Sequence, residues 1–351
     1  GTFPTFLKSI LFLKYLFLYI ILRFLVERGI INLKIFIIFC SAAVLFVSLD
    51  IIFQSYFNRD IFGFISPQGY RKLSGPFRDE LIAGGFIQRF SLFAFFVIPL
   101  FFKKYFSNKL YKYLIIILFI IFFVSLIMTG NRMPTIIFLF SIVLISIFQK
   151  QTRKYLLPFF IILPLIFAIL FKFNETIRIN FMDFYSKSSQ MISLVIKRDF
   201  FNVNAPQYLK EFSTFYDTWL INKYIGGGIK NFRYYCHHRN NIENNSGFVC
   251  NMHPHNYYLE ILTETGLVGF LITLLIFFNI LYLTLIKKYF LKSLLNENLV
   301  IVPFIFLFIA EIFPFRSTGS FFTTGNTTYL FLIIGIMIGL TKKKNSFENE
   351  N

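Results

Sequence analysis

The sequence predicts an all-α, polytopic transmembrane protein, and two observations carry that prediction. Of the 351 residues, 56% are apolar and 15% charged, and the apolar residues run in stretches long enough to cross a bilayer as helices. A soluble fold of this length has too few charged residues to cover so apolar a chain. The 53 phenylalanines, beside many Ile, Lys and Asn, fit a base-composition bias. Lipid-facing positions accept Phe as readily as Leu, so the Phe stripes are assigned no function. The chain opens on Gly1 rather than Met, as expected of a fragment or processed form.

About nine spans are expected, at 9–26, 31–53, 81–102, 113–129, 134–148, 155–173, 262–286, 299–315 and 327–340. They divide the chain into an N-terminal transmembrane bundle (1–173), a long loop subdomain (174–258), C-terminal transmembrane helices (259–340) and a tail (341–351). The formal charge of +18 reads as topology and not as nucleic-acid binding. Basic clusters lie at Lys103, Lys104, Lys109 and Lys112, at Lys150, Arg153 and Lys154, at Lys287, Lys288 and Lys292, and at Lys342, Lys343 and Lys344. They occupy alternate connectors, which the positive-inside rule assigns to the cytoplasm. Segments 54–80, 130–133, 174–258 and 316–326 then lie on the opposite face. In the long loop, the aromatic–polar alternation from Phe200 to Trp219 suggests amphipathic helices lying on the membrane.

The two faces differ in their basic residue. The cytoplasmic clusters hold twelve Lys and one Arg, whereas the outer segments hold nine Arg and six Lys. Arginine grips phosphate with a planar two-pronged fork and lysine with a hydrated point charge. Small counts and surface ion pairs are the bland account; an outer-face diphosphate site is the functional one. Cys236 and Cys250 both fall in the long loop. They are either unrelated thiols or a bridge that would contribute about 3 kcal/mol.

All four histidines, His237, His238, His253 and His255, lie within nineteen residues, and the last two open the stretch His253–Gly269 that runs into an apolar span. Pro254 suits a first helical turn, with His253 as cap and His255 at the second helical position. The positive end of that helix disfavours imidazolium, so His255 should stay neutral and able to accept a proton. Asn256 with Glu260 and Glu264, which share a helix face, could orient polar groups or a sugar. Gly266 and Gly269 are spaced for close helix contact.

His255-Asn256-Tyr257-Tyr258-Leu259, followed by Glu264-Thr265-Gly266-Leu267-Val268-Gly269, resembles the signature of the O-antigen ligase and O-antigen polymerase superfamily. Leu73–Glu80 with Ala83-Gly84-Gly85, Thr129-Gly130-Asn131-Arg132, Ile225–Ile229 and Arg316–Phe322 are similar to further family segments, in family order. The resemblance implies a GT-C-like, inverting glycosyltransferase of the bacterial inner membrane, its active site on the periplasmic side. Its partners would be a glycan donor on undecaprenyl diphosphate, a glycolipid or glycan acceptor, and membrane lipid. In that reading His255 is the catalytic base. Arg132 and Arg178 hold the donor diphosphate first, with Arg71, Arg78 and Arg316 next. Arg198 and Arg239 should tolerate lysine. A permanent arginine charge can replace a divalent ion, so neither metal nor cofactor is expected. Ligase and polymerase share the donor and differ in acceptor; the single long loop favours the ligase. A lipid-linked-glycan transporter is the reading from another class, and the one-sided placement of polar groups favours an enzyme.

Overall fold

The computed structural model describes residues 2–197, 205–239, 250, 255–288, 295, 299–316 and 319–343, and among them there are helices and no strands. In chain order the helices are α1 (Thr2–Phe12), α2 (Lys14–Glu27), α3 (Leu33–Phe57), α4 (Ala83–Val97), α5 (Asn108–Met128), α6 (Arg132–Phe148) and α7 (Lys150–Phe173). They continue as α8 (Glu175–Ile196), α9 (Gln207–Trp219), α10 (Phe232–Tyr235), α11 (Tyr257–Leu281), α12 (Ile301–Glu311) and α13 (Thr324–Lys342).

Among the described residues six helical segments are long and apolar enough to cross a membrane: Phe6–Glu27, Leu33–Phe57, Ala83–Phe102, Asn108–Met128, Tyr257–Lys288 and Thr324–Lys342. The other three expected spans correspond to shorter apolar helices, Arg132–Phe148, Leu163–Phe173 and Ile301–Glu311. Polar residues cut these short. Arg132 opens the first and Glu311 closes the last, while the N-terminal half of α7 carries Lys150, Arg153 and Lys154.

The chain forms two compact units. One comprises residues 31–183 and 289–310. Here α3 starts at Asn32, whose side chain accepts from the Ile35 N–H, and ends at Asn58 in the left-handed region. It packs on α4 and α5, while α6 packs on α4 and α7. Phenylalanine is the core of this unit and not only a lipid-facing residue: Phe93, Phe95, Phe119, Phe122, Phe138, Phe304 and Phe306 are fully buried. Some of their rings meet edge-on, as in the Phe93–Phe304 and Phe95–Phe122 pairs, while Phe119 and Phe138 stack.

Two glycines bring distant segments of this unit together. Gly130 has φ +66°, and a Cβ there would lie 2.5 Å from the Arg71 carbonyl; a Cβ on Gly84 would lie 2.8 Å from Thr129 Oγ1. The Asn131 amide donates to the Leu81 carbonyl at 3.2 Å. The turn 129–132 and the segment 71–84, some fifty residues apart in sequence, therefore share one surface.

The other unit comprises residues 1–30, 184–288 and 311–351. In it α2 and α13 run side by side and parallel. Phe12 meets Phe322 at one end, and Gly29 lies beside Lys343 at the other. Gly335 and Gly339, four apart on α13, let the backbones approach, since a Cβ on Gly339 would sit 2.9 Å from the Arg23 carbonyl. The small-residue contact expected of Gly266 and Gly269 is made here instead.

Gly266 has another use. It breaks α11 with φ +67° and ψ −173°, a conformation open essentially to glycine. A continuous helix would bond Leu267 N–H to Thr263 O and Val268 N–H to Glu264 O. Residues 223–228 interpose themselves between those partners. Leu267 and Val268 donate to the Lys223 and Tyr224 carbonyls at 2.8 and 3.0 Å, and the Gly227 and Gly228 amides donate to Thr263 and Glu264 at 3.1 and 2.8 Å. A Cβ on Gly226 would lie 2.4 Å from Gly266 N, and one on Gly266 2.3 Å from Tyr224 O. We expect Gly226→Ala and Gly266→Ala each to cost more than about 3 kcal/mol, measured as lost thermal stability of the detergent-purified protein. Gly325→Ala, with open space around its Cβ position, should be neutral or slightly stabilising.

Candidate functional site

The His segment opens α11 differently from the helical start expected of it. His253 and Pro254 lie outside the described residues. Asn256, not His253, is the cap: its side-chain oxygen accepts from the Tyr258 and Leu259 N–H groups at 3.0 and 3.1 Å. Its amide donates to the Pro314 carbonyl at 2.8 Å. His255 therefore precedes the cap and is not helical; it has φ +52°, a region a histidine enters only when its surroundings hold it there. The His255 imidazole is part-buried, and burial pushes its pKa below the ordinary 6.5. The ring stands edge-on to Tyr208 of α9, centroids 6.1 Å apart.

Behind His255, the first turns of α11 bury two carboxylates that each hold a different chain segment. Glu260 accepts from Ser320 Oγ and from Phe321 N–H, both at 2.5 Å. Glu264 accepts from the Lys230 N–H at 2.7 Å, which ties the glycine-rich loop to the break. A third carboxylate, Glu311, has no counterpart in the residues singled out from sequence. It is fully buried, accepts from Tyr257 OH at 2.8 Å and pairs with Arg316 at 2.5 Å. The Arg316 guanidinium also lies over the Tyr257 ring, 5.2 Å from its centroid. The structure therefore places Arg316 in a buried ion pair bracing the start of α11. The signal for Glu311 was present: a lone carboxylate ends an apolar helix, with an arginine five residues on.

Cys236 and Cys250 are joined by a disulfide, with Cα atoms 5.6 Å apart. Cys236 packs against the stacked rings of Phe215 and Phe232. Arg239 is buried here. Its Nη1 donates to the Cys236 carbonyl at 2.7 Å and approaches both sulfurs, at 3.2 and 3.3 Å. Burial pushes Arg239 down and Asp217 up, and the attraction between the two charges offsets part of both shifts. This burial argues against the expectation that Arg239 tolerates lysine. Arg198, paired with it in that expectation, lies outside the described residues.

In the other unit the contact between turn 129–132 and segment 71–84 gathers cations. Arg71, Lys72 and Arg132 come close enough that, after burial, the Arg71 and Arg132 charges push the Lys72 ammonium further down. Arg132, at the start of α6, donates to the Asn180 carbonyl at 2.8 Å and pairs with Asp183 at 3.0 Å, about a third exposed. Asn180 in turn donates to the Arg71 carbonyl at 3.2 Å. Ser55, Tyr70, Arg71, Asn174, Thr176 and Asn180 line a small cavity beside them. Arg178 is exposed on α8 next to Glu175, 3.7 Å away. Arg78 is exposed and stacks on Phe64 at 4.3 Å. Sequence reasoning missed Lys72, whose only signal was its place beside Arg71. The described residues hold no cluster of three or more His, Cys, Asp or Glu suited to a metal ion.

Residues 117–274 match the family model described as O-antigen ligase. That stretch belongs to the O-antigen ligase superfamily. It runs from within α5 past the break in α11, and so includes Arg132, Arg178, the glycine-rich loop, His255, Glu260 and Glu264. No curated protein and no solved structure matches the chain.

The placement of Arg239 generates a prediction about stability. Arg239→Lys removes the planar fork that reaches the Cys236 carbonyl and the sulfurs, and should destabilise the protein by about 1–3 kcal/mol. Thermal unfolding of the detergent-purified variant measures it. An unchanged midpoint would show that the fork contributes nothing there.

Proposed function

We propose that the chain is a glycosyltransferase that moves a glycan from undecaprenyl diphosphate to an acceptor hydroxyl at the periplasmic face of a bacterial inner membrane. The match to the O-antigen ligase family supports ligase- or polymerase-type function in general. The observation that carries the finer reading is His255, part-buried with a lowered pKa just ahead of a capped helix. A neutral imidazole there can take the acceptor proton as the hydroxyl oxygen attacks the anomeric carbon. The bond from that carbon to the diphosphate oxygen breaks, configuration inverts, and the lipid diphosphate leaves with the electron pair.

The charge developing on that leaving group is assigned to Arg132 and Arg71, with Lys72 beside them and Arg178 on the helix that carries Asn180. The two roles are assigned separately, each from residues of one unit. Asn256, Glu260 and Glu264 serve as positioning residues. Arg316 braces the start of α11, and Arg78 remains an exposed cation near the segment 71–77. Fixed cationic charge supplies what a divalent ion would, so the reaction is metal-independent in this reading. A ligase acting on lipid A–core is the preferred form, and a polymerase joining lipid-linked repeats is the alternative.

In vitro transfer from purified lipid-linked donor tests the proposal. His255→Ala should lower the rate by ~10²–10⁴-fold with insertion intact. Wild-type transfer should stay level as pH falls through 6.5 and decline only below it, because the depressed pKa keeps His255 neutral there. Near-normal transfer by His255→Ala would overturn the base assignment.

A second prediction concerns the cations. Arg132→Lys should still lose most activity, since the loss of one preorganised donor costs ~3–4 kcal/mol and an ammonium restores the charge without the fork. EDTA should leave wild-type transfer unchanged. Glycan on lipid A–core marks a ligase, and lengthened lipid-linked chains mark a polymerase.

A further inference from the structure

The glycine-rich loop that fills the break in α11 also forms one wall of a cavity of about 130 Å³, lined by Lys8, Lys14, Lys230, Phe12, Tyr15 and Phe322 among others. None of its lining residues is acidic. Lys8 reaches across to donate to the Lys230 carbonyl at 3.3 Å, and Lys14 lies 5.0 Å over the Tyr15 ring. Lys230 holds φ +56° while its N–H binds Glu264. The buried Glu264 carboxylate attracts Lys230 and Lys8, and that of Glu260 attracts Lys230. Neither carboxylate lines the cavity, and an anion within it would ease the repulsion among its three ammonium groups.

The surroundings say what kind of anion. Around the cavity, α1 and α2 expose Phe6, Leu7, Ile10, Leu11 and Phe17, a face suited to acyl chains. Lysines near the end of an apolar segment lie where lipid headgroups lie. A phosphate offers several anionic oxygens and can accept from three ammonium donors at once. We propose that this cavity binds the phosphate headgroup of an anionic membrane phospholipid. Its occupancy would draw Lys8, Lys14 and Lys230 together and so hold the glycine-rich loop in the break. The site is separate from the diphosphate assignment, which rests on residues of the other unit.

The test is native mass spectrometry of the full-length, delipidated protein, titrated with phosphatidylglycerol or phosphatidylcholine. One phosphatidylglycerol should bind in preference to phosphatidylcholine. The Lys8→Gln/Lys14→Gln/Lys230→Gln variant should bind it about a hundredfold more weakly, and each single variant about fivefold. The triple Lys→Arg variant should keep most of the affinity. In the same titration of wild type, millimolar inorganic phosphate should fail to displace the bound lipid. Equal retention of phosphatidylglycerol by the triple Gln variant would overturn the site. So would equal binding of phosphatidylcholine. Displacement by inorganic phosphate would overturn the lipid and leave a free-anion site. If the triple Gln variant does not fold, the single variants decide, and unchanged affinity in all three overturns the proposal.

Discussion

The start of α11 depends on two backbone hydrogen bonds that the helix does not make. Opening the Thr263–Leu267 and Glu264–Val268 pairs leaves two carbonyls and two amides unpartnered in an apolar helix. Within a bilayer such a break survives only where other protein atoms take every freed group. Residues 223–228 take all four. That substitution demands glycine on both sides, because the backbones of Gly226 and Gly266 approach more closely than any Cβ permits. The family-like Gly-rich stretch and the glycine after Glu264-Thr265 are thus two halves of one joint.

The joint explains why charged residues can sit so close to an apolar span. Glu260, Glu264 and Glu311 are buried, and each takes hydrogen bonds from a different partner: Ser320 with Phe321, Lys230, and Tyr257. A buried carboxylate left unmatched would be strongly destabilising; matched in this way, it fixes the segment that donates to it. Asn256 adds a fourth tie by capping α11 and binding Pro314. The short helix from Tyr257 to the break is therefore held on several sides, and His255 is the residue immediately before it. The proposed role of His255 as a base needs a fixed position relative to one hydroxyl, and these ties restrain the backbone that carries the imidazole.

How much of this was legible in the sequence follows from what each signal depends on. Apolar runs report burial in lipid or protein alike, so the all-helical membrane fold was plain. The lengths of the helices beginning at Arg132 and ending at Glu311 depended on where polar residues stopped them. Where each phenylalanine packs was hidden for the same reason, since composition does not distinguish a lipid-facing ring from Phe93 or Phe304 packed in a core. The candidate site drew notice in the sequence because histidine, asparagine and glutamate cluster before an apolar run. Its geometry was hidden. The spacing after Pro254 suggested His253 as the cap, whereas Asn256 caps α11, and that leaves His255 outside the helix. Closely spaced glycines suggested helix contact at Gly266 and Gly269, but it is Gly335 and Gly339 that face a neighbouring helix, whereas Gly266 faces a loop.

The arginines show why residue type alone could not sort the site. One arginine-rich face led to one diphosphate hypothesis, yet the described arginines fall into two physical classes. Arg316 and Arg239 are buried, each within reach of a carboxylate, Glu311 or Asp217. Their planar fork serves the fold, where it meets several acceptors at once. Arg132 and Arg71 are more exposed, and they crowd a third cation, Lys72. Asp183 pairs with Arg132 in a contact that stays about a third exposed, unlike the buried pair of Arg316 with Glu311. Concentrated positive charge of this kind favours a multiply charged anion, and a diphosphate is one. The distinction rests on how deeply each arginine is buried, a property that belongs to the folded chain and not to the sequence of any one loop.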